Sequence, residues 1–331
     1  MKNQNSEAII ILCSHLCVGK DVKPFEPSEW SKLADKLIVN NLTPMDLVNM
    51  DIEELNKYFS SEEAERILRL VERSTSLFFE VNKLRESGVE IVTRADSRYP
   101  KILKRKLKKS CPPLFYYIGD LEICNKKAIG IVGSRNINED DEKFTKDLVK
   151  KINDNGYAIV SGGARGIDSV SVEASLKNNC YGIEYVADSL SKKIRKKDTI
   201  DAIRKGKLLI LSASKPDAGF NVGMAMGRNK FIYAQSEATI AIKSDYKKGG
   251  TWTGAIDALK KGYCTVLCRY NPNSKGNIGL IDNGAIAIDE NWNCEFEKQS
   301  IKEIEKDKLD EVKKEEKPKN DINSQMSLFG K

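Results

Sequence analysis

Histidine is almost missing from this sequence, which has one such residue among 331. Because histidine is the side chain that ordinarily titrates near neutral pH, most acid–base catalysis is removed from consideration. The eight cysteines include no Cys-x-x-Cys pair, and Cys13, His15 and Cys17 cannot all face one side of a helix. We therefore expect mostly buried thiols in a reducing cytosol, with no bound metal and no cofactor.

Long apolar runs are also missing, and none reaches the roughly 20 residues that a membrane-spanning helix needs. The apolar segment Ala8–Leu12 has neither a basic region before it nor a small-residue cleavage site after it, so no secretory signal is expected. These features predict a cytoplasmic protein without membrane attachment. The net charge of +7 agrees with a nucleic-acid partner but does not establish one.

The most informative part of the chain has the pattern strand, turn, helix, strand, turn. The apolar run Ala128–Val132 has strand length and ends at a Gly-Ser-Arg turn. Phe144, Leu148 and Ile152 then recur every four residues, which predicts one buried helix face. The next strand, Tyr157–Val160, leads into a Gly-Gly-Ala-Arg-Gly turn.

Two Gly-rich turns therefore follow the carboxyl ends of two parallel strands, where open α/β sheets usually bind ligands. Each turn places an arginine beside backbone N–H groups, and this combination favours an anionic phosphate. The candidate ligands are Gly133, Ser134, Arg135, Gly162, Gly163, Arg165, Gly166 and Asp168. For Asp168 two roles stay open, which are binding a ribose hydroxyl and capping the helix that follows.

A third Gly-rich loop, later in the chain, adds basic and hydroxyl groups at a predicted helix start. Its candidate ligands are Lys247, Lys248, Gly249, Gly250 and Thr251. Trp252 has two possible roles, stacking on a base and packing where the helix meets the sheet. Arg228 and Asn229 are candidates for the same crevice, with a helix C-terminal cation as the alternative role for Arg228.

Strand-length apolar segments alternate with helical segments through the rest of the chain. Further strands are predicted at Val89–Val92, Tyr181–Ala187, Leu208–Ala213, Thr239–Lys243, Thr265–Arg269 and Ala285–Ile288. The helices between them are predicted at Ser169–Lys177, Ile194–Arg204, Asn221–Gln235 and Thr251–Lys261. The fold class is therefore α/β, a doubly wound parallel, extended Rossmann-like sheet with a small N-terminal helical domain.

The N-terminal domain, residues 1–85, is similar to SAM or helix-hairpin-helix modules. Its helices are predicted at Ser28–Val39, Thr43–Met50, Asp51–Tyr58 and, as one long helix, Ser61–Leu84. We expect a lead-in segment at 86–126, the Rossmann-like domain at 127–293 and a charged flexible tail at 294–331. In the lead-in, residues 101–109 carry six positive charges. Two roles are possible for them, a solvated helix face and contact with a nucleic-acid backbone.

Four motifs occur in the order found in the DNA-processing protein A family, DprA or Smf, which this chain resembles. They are Val132–Arg135, Ser161–Asp168, Phe220 with Arg228-Asn229, and Gly249–Thr253. Ala95–Pro100 and Cys111–Asp120 also resemble the segment that leads into the family's sheet. Three positions depart from the family pattern, Val172 replacing a usual histidine, Lys230 an arginine and Lys243 a common acid.

The resemblance implies a homodimer that binds single-stranded DNA without catalysis, protects it and helps to load the RecA recombinase in transformation or recombination. A sensor that binds a small nucleotide in the same crevice, as in phage defence, is the alternative. A dinucleotide oxidoreductase is excluded because the first turn is not Gly-x-Gly-x-x-Gly. A phosphoribohydrolase would need an acid directly after the third Gly loop, and residues 252–256 contain none.

The last residues of the chain turn apolar after a long charged stretch. Gln325, Met326, Leu328 and Phe329 resemble the short peptide with which bacterial proteins bind the replication sliding clamp. Adjacent large apolar groups at the end of a solvated tail suggest a pocket on a partner. The alternative is that Leu328 and Phe329 fold back on their own domain.

Overall fold

The computed structural model describes residues 3–19, 21–219 and 221–295. Its single sheet has nine strands in the order β1-β2-β6-β5-β4-β3-β7-β8-β9. The strands are β1 Glu90–Thr93, β2 Leu114–Ile118, β3 Ala128–Val132, β4 Ala158–Ser161, β5 Gly182–Tyr185, β6 Leu208–Ser212, β7 Ala238–Ala241, β8 Thr265–Arg269 and β9 Ile286–Ile288. The predicted α/β fold with a mainly parallel sheet is confirmed.

The sheet is parallel from β6 to β9 and antiparallel at one edge. β1 pairs with β2, and β2 pairs with β6, both antiparallel, with Tyr117 opposite Leu211. β2 was not predicted, although its apolar residues Leu114–Tyr117 are buried on both faces of the sheet. The lead-in segment thus extends the sheet by two strands.

Helices cover both faces of the sheet and form the N-terminal part of the chain. They are α1 Gln4–Cys13, α2 Pro27–Val39, α3 Pro44–Asn49, α4 Ile52–Leu55, α5 Ser61–Glu72, α6 Ser74–Glu86, α7 Lys101–Leu107, α8 Glu139–Asp154, α9 Ile167–Lys177, α10 Leu190–Lys193, α11 Lys197–Arg204, α12 Val222–Gln235, α13 Gly249–Lys261 and α14 Lys275–Asp282. None of these described helices is long and apolar enough to cross a membrane.

The single long helix predicted at Ser61–Leu84 is wrong, because the chain breaks at Arg73 into α5 and α6. The buried Arg73 guanidinium donates to the carbonyl oxygens of Ile11, Ser14 and Leu16, just beyond the end of α1 and within its last turn. The break therefore coincides with a long-range contact to α1. The spacing of apolar residues within α5 and α6 gives no sign of such a contact. The helix predicted at Ile194–Arg204 is confirmed in part, because α11 begins only at Lys197, and a separate short helix, α10, lies before the predicted range.

Two hydrophobic cores lie on opposite faces of the sheet. Ile129 and Ile131 of β3 face the core that also holds Phe144, Leu148 and Ile152 of α8, so the predicted helix face is confirmed. The N-terminal helices α1, α2 and α5 contribute to this same core. Val132, Phe231 and Trp252 belong to the second core, under α7, α12 and α13.

The chain reverses its direction of travel across the sheet once. From β3 it adds β4, β5 and β6 on one side, and α12 then crosses back so that β7, β8 and β9 are added on the other side. β3 and β7 are neighbours, with Ile131 opposite Ile240. The carboxyl ends of β3 and β7 therefore form a switch point, where open α/β sheets place their ligand crevice.

Candidate nucleic-acid interface

The first two Gly-rich turns fit closely against each other at this edge of the sheet. A Cβ atom on Gly133 would lie 2.5 Å from the Ile167 side chain, and one on Gly166 would lie 2.5 Å from the Ser134 carbonyl oxygen. Gly166 also has a φ of +81°, which side chains rarely tolerate. Glycine is thus needed at both positions, and the contact holds the two turns together.

The N–H of Ser134 is used inside the protein. It donates to the Lys243 carbonyl oxygen at 3.0 Å, and the Ser134 hydroxyl accepts from the Asn136 N–H at 3.1 Å. This ties the first turn to the segment after β7 and leaves the Ser134 N–H unavailable to a ligand. Arg135 is exposed at the rim of the crevice.

Asp168 pairs with Arg228 and does not cap α9, which was one of its two possible roles. Gly166 occupies the N-cap position of α9, while the Asp168 carboxylate lies 3.9 Å from Arg228 Nη1 and accepts from the Ala164 N–H at 3.4 Å. Both side chains are buried, with Asp168 7% and Arg228 8% exposed. Burial raises the pKa of Asp168, and the Arg228 charge opposes that shift.

Arg228 lies in the middle of α12, so the alternative of a helix C-terminal cation is wrong. A Cβ atom on Gly162 would lie 1.4 Å from Arg228 Nη1, which shows that Gly162 makes room for the guanidinium. Within the described residues, Arg228 Nε and Nη1 are buried and have no hydrogen-bond partner. Burial lowers the pKa of Arg228, and Asp168 opposes that shift.

Two clefts adjoin at this edge of the sheet. The β3–β7 cleft, between the first turn and the third loop, has a volume of about 640 Å³. The β4–β5 cleft, between the second turn and the loop after β5, has a volume of about 320 Å³. Arg135, Ala164, Ala225 and Arg228 line both clefts, so these residues form the wall between them.

The predicted ligands other than Gly166 and Lys247 divide between the two clefts. The β3–β7 cleft is lined by Gly133, Ser134, Arg135, Asp168, Arg228, Asn229, Lys248, Gly249, Gly250 and Thr251. The β4–β5 cleft is lined by Arg135, Gly162, Gly163, Arg165 and Arg228. Lys247 lines neither described cleft, and its Nζ lies 5.1 Å from the centre of the exposed Tyr246 ring.

The third loop is attached to α12 and starts α13. Asn229 Nδ2 donates to the Gly250 carbonyl oxygen at 3.0 Å, and the N-cap residue Lys248 makes no side-chain capping bond. The first residues of α13, Gly249–Thr251, line the β3–β7 cleft, and this helix start has no side-chain cap. Trp252 is buried, and its ring centre lies 5.2 Å from that of Tyr246 in an edge-to-face arrangement, so its role is core packing and base stacking is wrong.

Sequence reasoning missed three lysines of the β4–β5 cleft, namely Lys192, Lys193 and Lys196. Lys193 Nζ bonds the Gly163 carbonyl oxygen at 2.6 Å and the buried Glu184 carboxylate at 3.0 Å. The available signal was the basic run at residues 192–197, which begins five residues after the end of the strand predicted at Tyr181–Ala187.

Comparison with known proteins agrees with this arrangement of turns and strands. A model of the family described as DNA recombination-mediator protein A matches residues 90–295, more than half of the chain. The chain belongs to this family. The DNA processing protein DprA of Bacillus subtilis is 30% identical over 216 residues, which cover 64% of this chain and 71% of that protein.

Two other relatives are more distant. Protein Smf of Synechocystis is 25% identical over 214 residues, 61% of this chain and 52% of that protein. The crystal structure of DprA from Streptococcus pneumoniae superposes with a TM-score of 0.68 at 20% identity, covering 87% of this chain and 95% of that one. The fold of the DprA family therefore extends beyond the residues that the family model matches.

The departures from the DprA pattern have local structural partners in this chain. Val172 is buried, and a Cβ atom on Gly182 of β5 would lie 3.0 Å from it. Lys243 Nζ bonds Asp141 at 2.7 Å, and Arg269 bonds the same carboxylate at 3.1 Å. Phe220, part of the third motif of the DprA resemblance, lies outside the described residues.

The basic segment at 101–109 includes a lysine that lies far from both clefts. Lys106 Nζ donates to the Ser236 carbonyl oxygen at 2.7 Å, two residues before β7 begins. The amino ends of the parallel strands lie opposite the crevice, so Lys106 belongs to the other edge of the sheet. For Lys106, the alternative of contact with a nucleic-acid backbone in the crevice is therefore wrong.

Proposed function

We propose that this DprA family member binds single-stranded DNA across the two adjoining clefts. The observation that carries the proposal is the shared wall, where Arg135 and the buried Arg228 face both clefts. Further cations line the clefts, namely Arg165, Lys192, Lys193, Lys196, Lys243 and Lys248. A continuous polyanion lying over the wall would contact cations on both sides and release several counterions.

We infer that binding is not followed by catalysis. Residues 252–256, after the third loop, hold no carboxylate, and the single histidine, His15, lies outside both clefts. In the described ranges, no three His, Cys, Asp or Glu side chains are grouped as a metal site. We expect no turnover of nucleotides or DNA by the purified protein.

The finer biological role follows from the family and is also proposed. The family is described as a DNA recombination mediator, which supports a cytoplasmic protein that hands single-stranded DNA to the RecA recombinase. We propose that the protein acts as a homodimer, protecting DNA and loading RecA in transformation or recombination. We also propose that the chain divides into an N-terminal helical domain at 1–85, a lead-in segment at 86–126, the Rossmann-like domain at 127–293 and a charged tail at 294–331.

A nucleotide sensor is the second candidate function. It is favoured by the β3–β7 cleft, whose volume of about 640 Å³ suits one small ligand. A sensor would bind a mononucleotide about as well as an oligonucleotide, whereas a DNA-binding protein gains affinity with every additional phosphate that it contacts. Ligand length therefore separates the two functions.

The experiment that tests the proposed function is the Arg135→Ala substitution. We expect oligonucleotide binding to weaken by about 1–3 kcal/mol, because a charge-assisted phosphate contact is lost. The melting temperature should not change, since Arg135 is exposed. Fluorescence anisotropy at low salt measures the affinity.

Arg204→Ala is the matched control for charge. Arg204 is exposed and ends α11, just before the amino end of β6, so it lies at the opposite edge of the sheet. It should leave the affinity close to that of the unmodified protein. Equal affinities for the two variants would contradict the role of Arg135.

The C-terminal peptide supports a further proposed partner, the replication sliding clamp. Gln325, Met326, Leu328 and Phe329 lie outside the described residues, so this proposal rests on the sequence alone. The charged linker before them would allow the peptide to reach a partner while the clefts hold DNA.

A further inference from the structure

A third cleft, which we call the N-terminal cleft, lies between the N-terminal helices and the sheet. Its volume of about 710 Å³ is within the usual range of ligand-binding pockets. Ala187, which follows β5, and Arg228 line both this cleft and the β4–β5 cleft, so they form the wall between the two. Among the described residues, none of those predicted as phosphate ligands in the three Gly-rich segments lines the N-terminal cleft.

The N-terminal cleft continues the row of clefts along the sheet. From β7 toward β2, the strands follow one another in the order β7-β3-β4-β5-β6-β2. The β3–β7 and β4–β5 clefts lie at the first four of these strands. The N-terminal cleft is lined by residues 186–187 after β5, residues 213–215 after β6, and Leu114 of β2. An elongated ligand that leaves the β4–β5 cleft past Ala187 therefore enters the N-terminal cleft.

The helix α12 separates the N-terminal cleft from the β3–β7 cleft, because two of its faces line different spaces. Met224 and Phe231, seven residues apart and so on one face, line the N-terminal cleft. Met226 and Asn229, three residues apart, line the β3–β7 cleft. Arg228 lies between the two faces and lines both clefts. The two clefts are therefore separate places with one arginine in common.

The N-terminal cleft has an apolar floor and cationic side chains around it. Phe25, Leu114 and Phe231 line the cleft and are each 5% exposed or less, so the floor is firmly packed. Lys215 is exposed at the edge of the cleft. Proteins that bind single-stranded nucleic acid combine cations for the phosphates with apolar rings for the bases. The N-terminal cleft offers both.

The charge of the N-terminal cleft favours an anion. Its described lining includes the cations Lys215, Arg228 and Lys230. Glu26 is the one acid among the described lining residues, and its carboxylate lies 3.3 Å from His15 Nε2. Lys215 also pairs with Asp217 at 3.5 Å, but both side chains are exposed, so the pair is weak and Lys215 can turn to a phosphate.

We propose that the N-terminal cleft binds a further stretch of the DNA strand that the first two clefts hold. The bases would lie on the apolar floor, and the phosphates would lie near Lys215 and the wall at Arg228. The N-terminal helices would then take part in DNA binding through Phe25 and Pro27, which form one side of the cleft. This inference rests on the proposed function, since its ligand is part of the same strand.

The test is the Met224→Glu substitution, which places a carboxylate in the N-terminal cleft. Met224 is the third residue of α12, and its N–H donates to the side chain of the N-cap residue Asn221 at 3.1 Å. A glutamate at this position completes a capping box, so the melting temperature should stay the same or rise. Binding of an oligothymidylate of about 20 nucleotides should weaken about tenfold. An oligothymidylate of about four nucleotides should be little affected, because the first two clefts hold it.

Met226→Glu is the matched comparison, because it makes the same change on the other face of α12, in the β3–β7 cleft. This variant should weaken binding of both lengths, as measured by fluorescence anisotropy with fluorescein-labelled strands. If Met224→Glu leaves the affinity for the longer strand unchanged, or weakens both lengths equally, the inference is contradicted while DNA binding stands. If the unmodified protein binds neither length, the proposed function fails, and the inference fails with it.

Discussion

At the scale of single residues, the interface depends on the buried Arg228 guanidinium, for which the missing side chain of Gly162 leaves space. Arg228 crosses the place that a side chain at position 162 would fill, and Asp168 faces it at 3.9 Å. A buried guanidinium is costly unless its donors are satisfied. Asp168 offsets the charge without bonding Nη1, so an anionic ligand would complete the site.

Gly162→Ala tests this arrangement directly. The new methyl group would lie 1.4 Å from Arg228 Nη1 and must displace the guanidinium, so we expect oligonucleotide binding to weaken about tenfold or more. The neighbouring control is Gly227→Ala, whose methyl group would have no atom within 4 Å. It should raise stability by about 0.5–1 kcal/mol and leave affinity unchanged. Equal binding by both variants would contradict the role of Arg228.

Residue types and spacing predicted the three Gly-rich segments but not how Arg228 is used. The turns were predictable because the carboxyl ends of parallel strands meet at one edge of a sheet. The Arg228–Asp168 pair joins α12 to α9 across the sheet, and no local pattern encodes such a contact. The same holds for Trp252, whose burial depends on packing against Tyr246.

At the scale of secondary structure, several strands and crossover helices of the parallel sheet were predicted at or near their bounds. β3 and β8 have the predicted bounds, and α12 begins one residue later than predicted. The missed strand β2 is a short apolar run that periodicity alone does not assign. It pairs antiparallel with the preceding strand β1 and with β6, which is distant in sequence. The α5–α6 break was missed because Arg73 bonds α1, far away in the chain.

Arg73→Ala should destabilise the N-terminal helices. The substitution leaves the carbonyl oxygens of Ile11, Ser14 and Leu16 without their charged donor, which should lower the free energy of unfolding by about 2–3 kcal/mol. Urea denaturation measures this loss. Oligonucleotide affinity of the folded variant should be normal, because Arg73 lines neither cleft. Unchanged stability would show that these contacts are not needed.

The C-terminal segment makes a separate prediction about a partner. A peptide of residues 320–331 should bind the replication sliding clamp, with Leu328 and Phe329 as apolar anchors. The same peptide with Leu328→Ala and Phe329→Ala should not bind. Calorimetric titration of the clamp with both peptides decides the matter. Equal binding of the two peptides, or no binding of either, would contradict the proposal that the tail binds the clamp through these two residues.

At the scale of the whole molecule, the reversal of the chain between β3 and β7 explains where the clefts lie. Four loops, after β3, β4, β5 and β7, converge on one edge of the sheet. The long crossover through α12 brings Arg228 under these loops. Cations that are far apart in sequence are thereby gathered along one surface, which is what a strand of phosphates requires.

The measurement that tests this account most directly is a salt titration of binding, comparing an oligothymidylate with thymidine monophosphate. If the strand contacts about three to five phosphates, the logarithm of its binding constant should fall with the logarithm of salt concentration with a slope of about −2 to −3.5. The monophosphate should bind more weakly and with a much shallower slope. Equal affinity and equally shallow slopes for the two ligands would contradict DNA binding across both clefts.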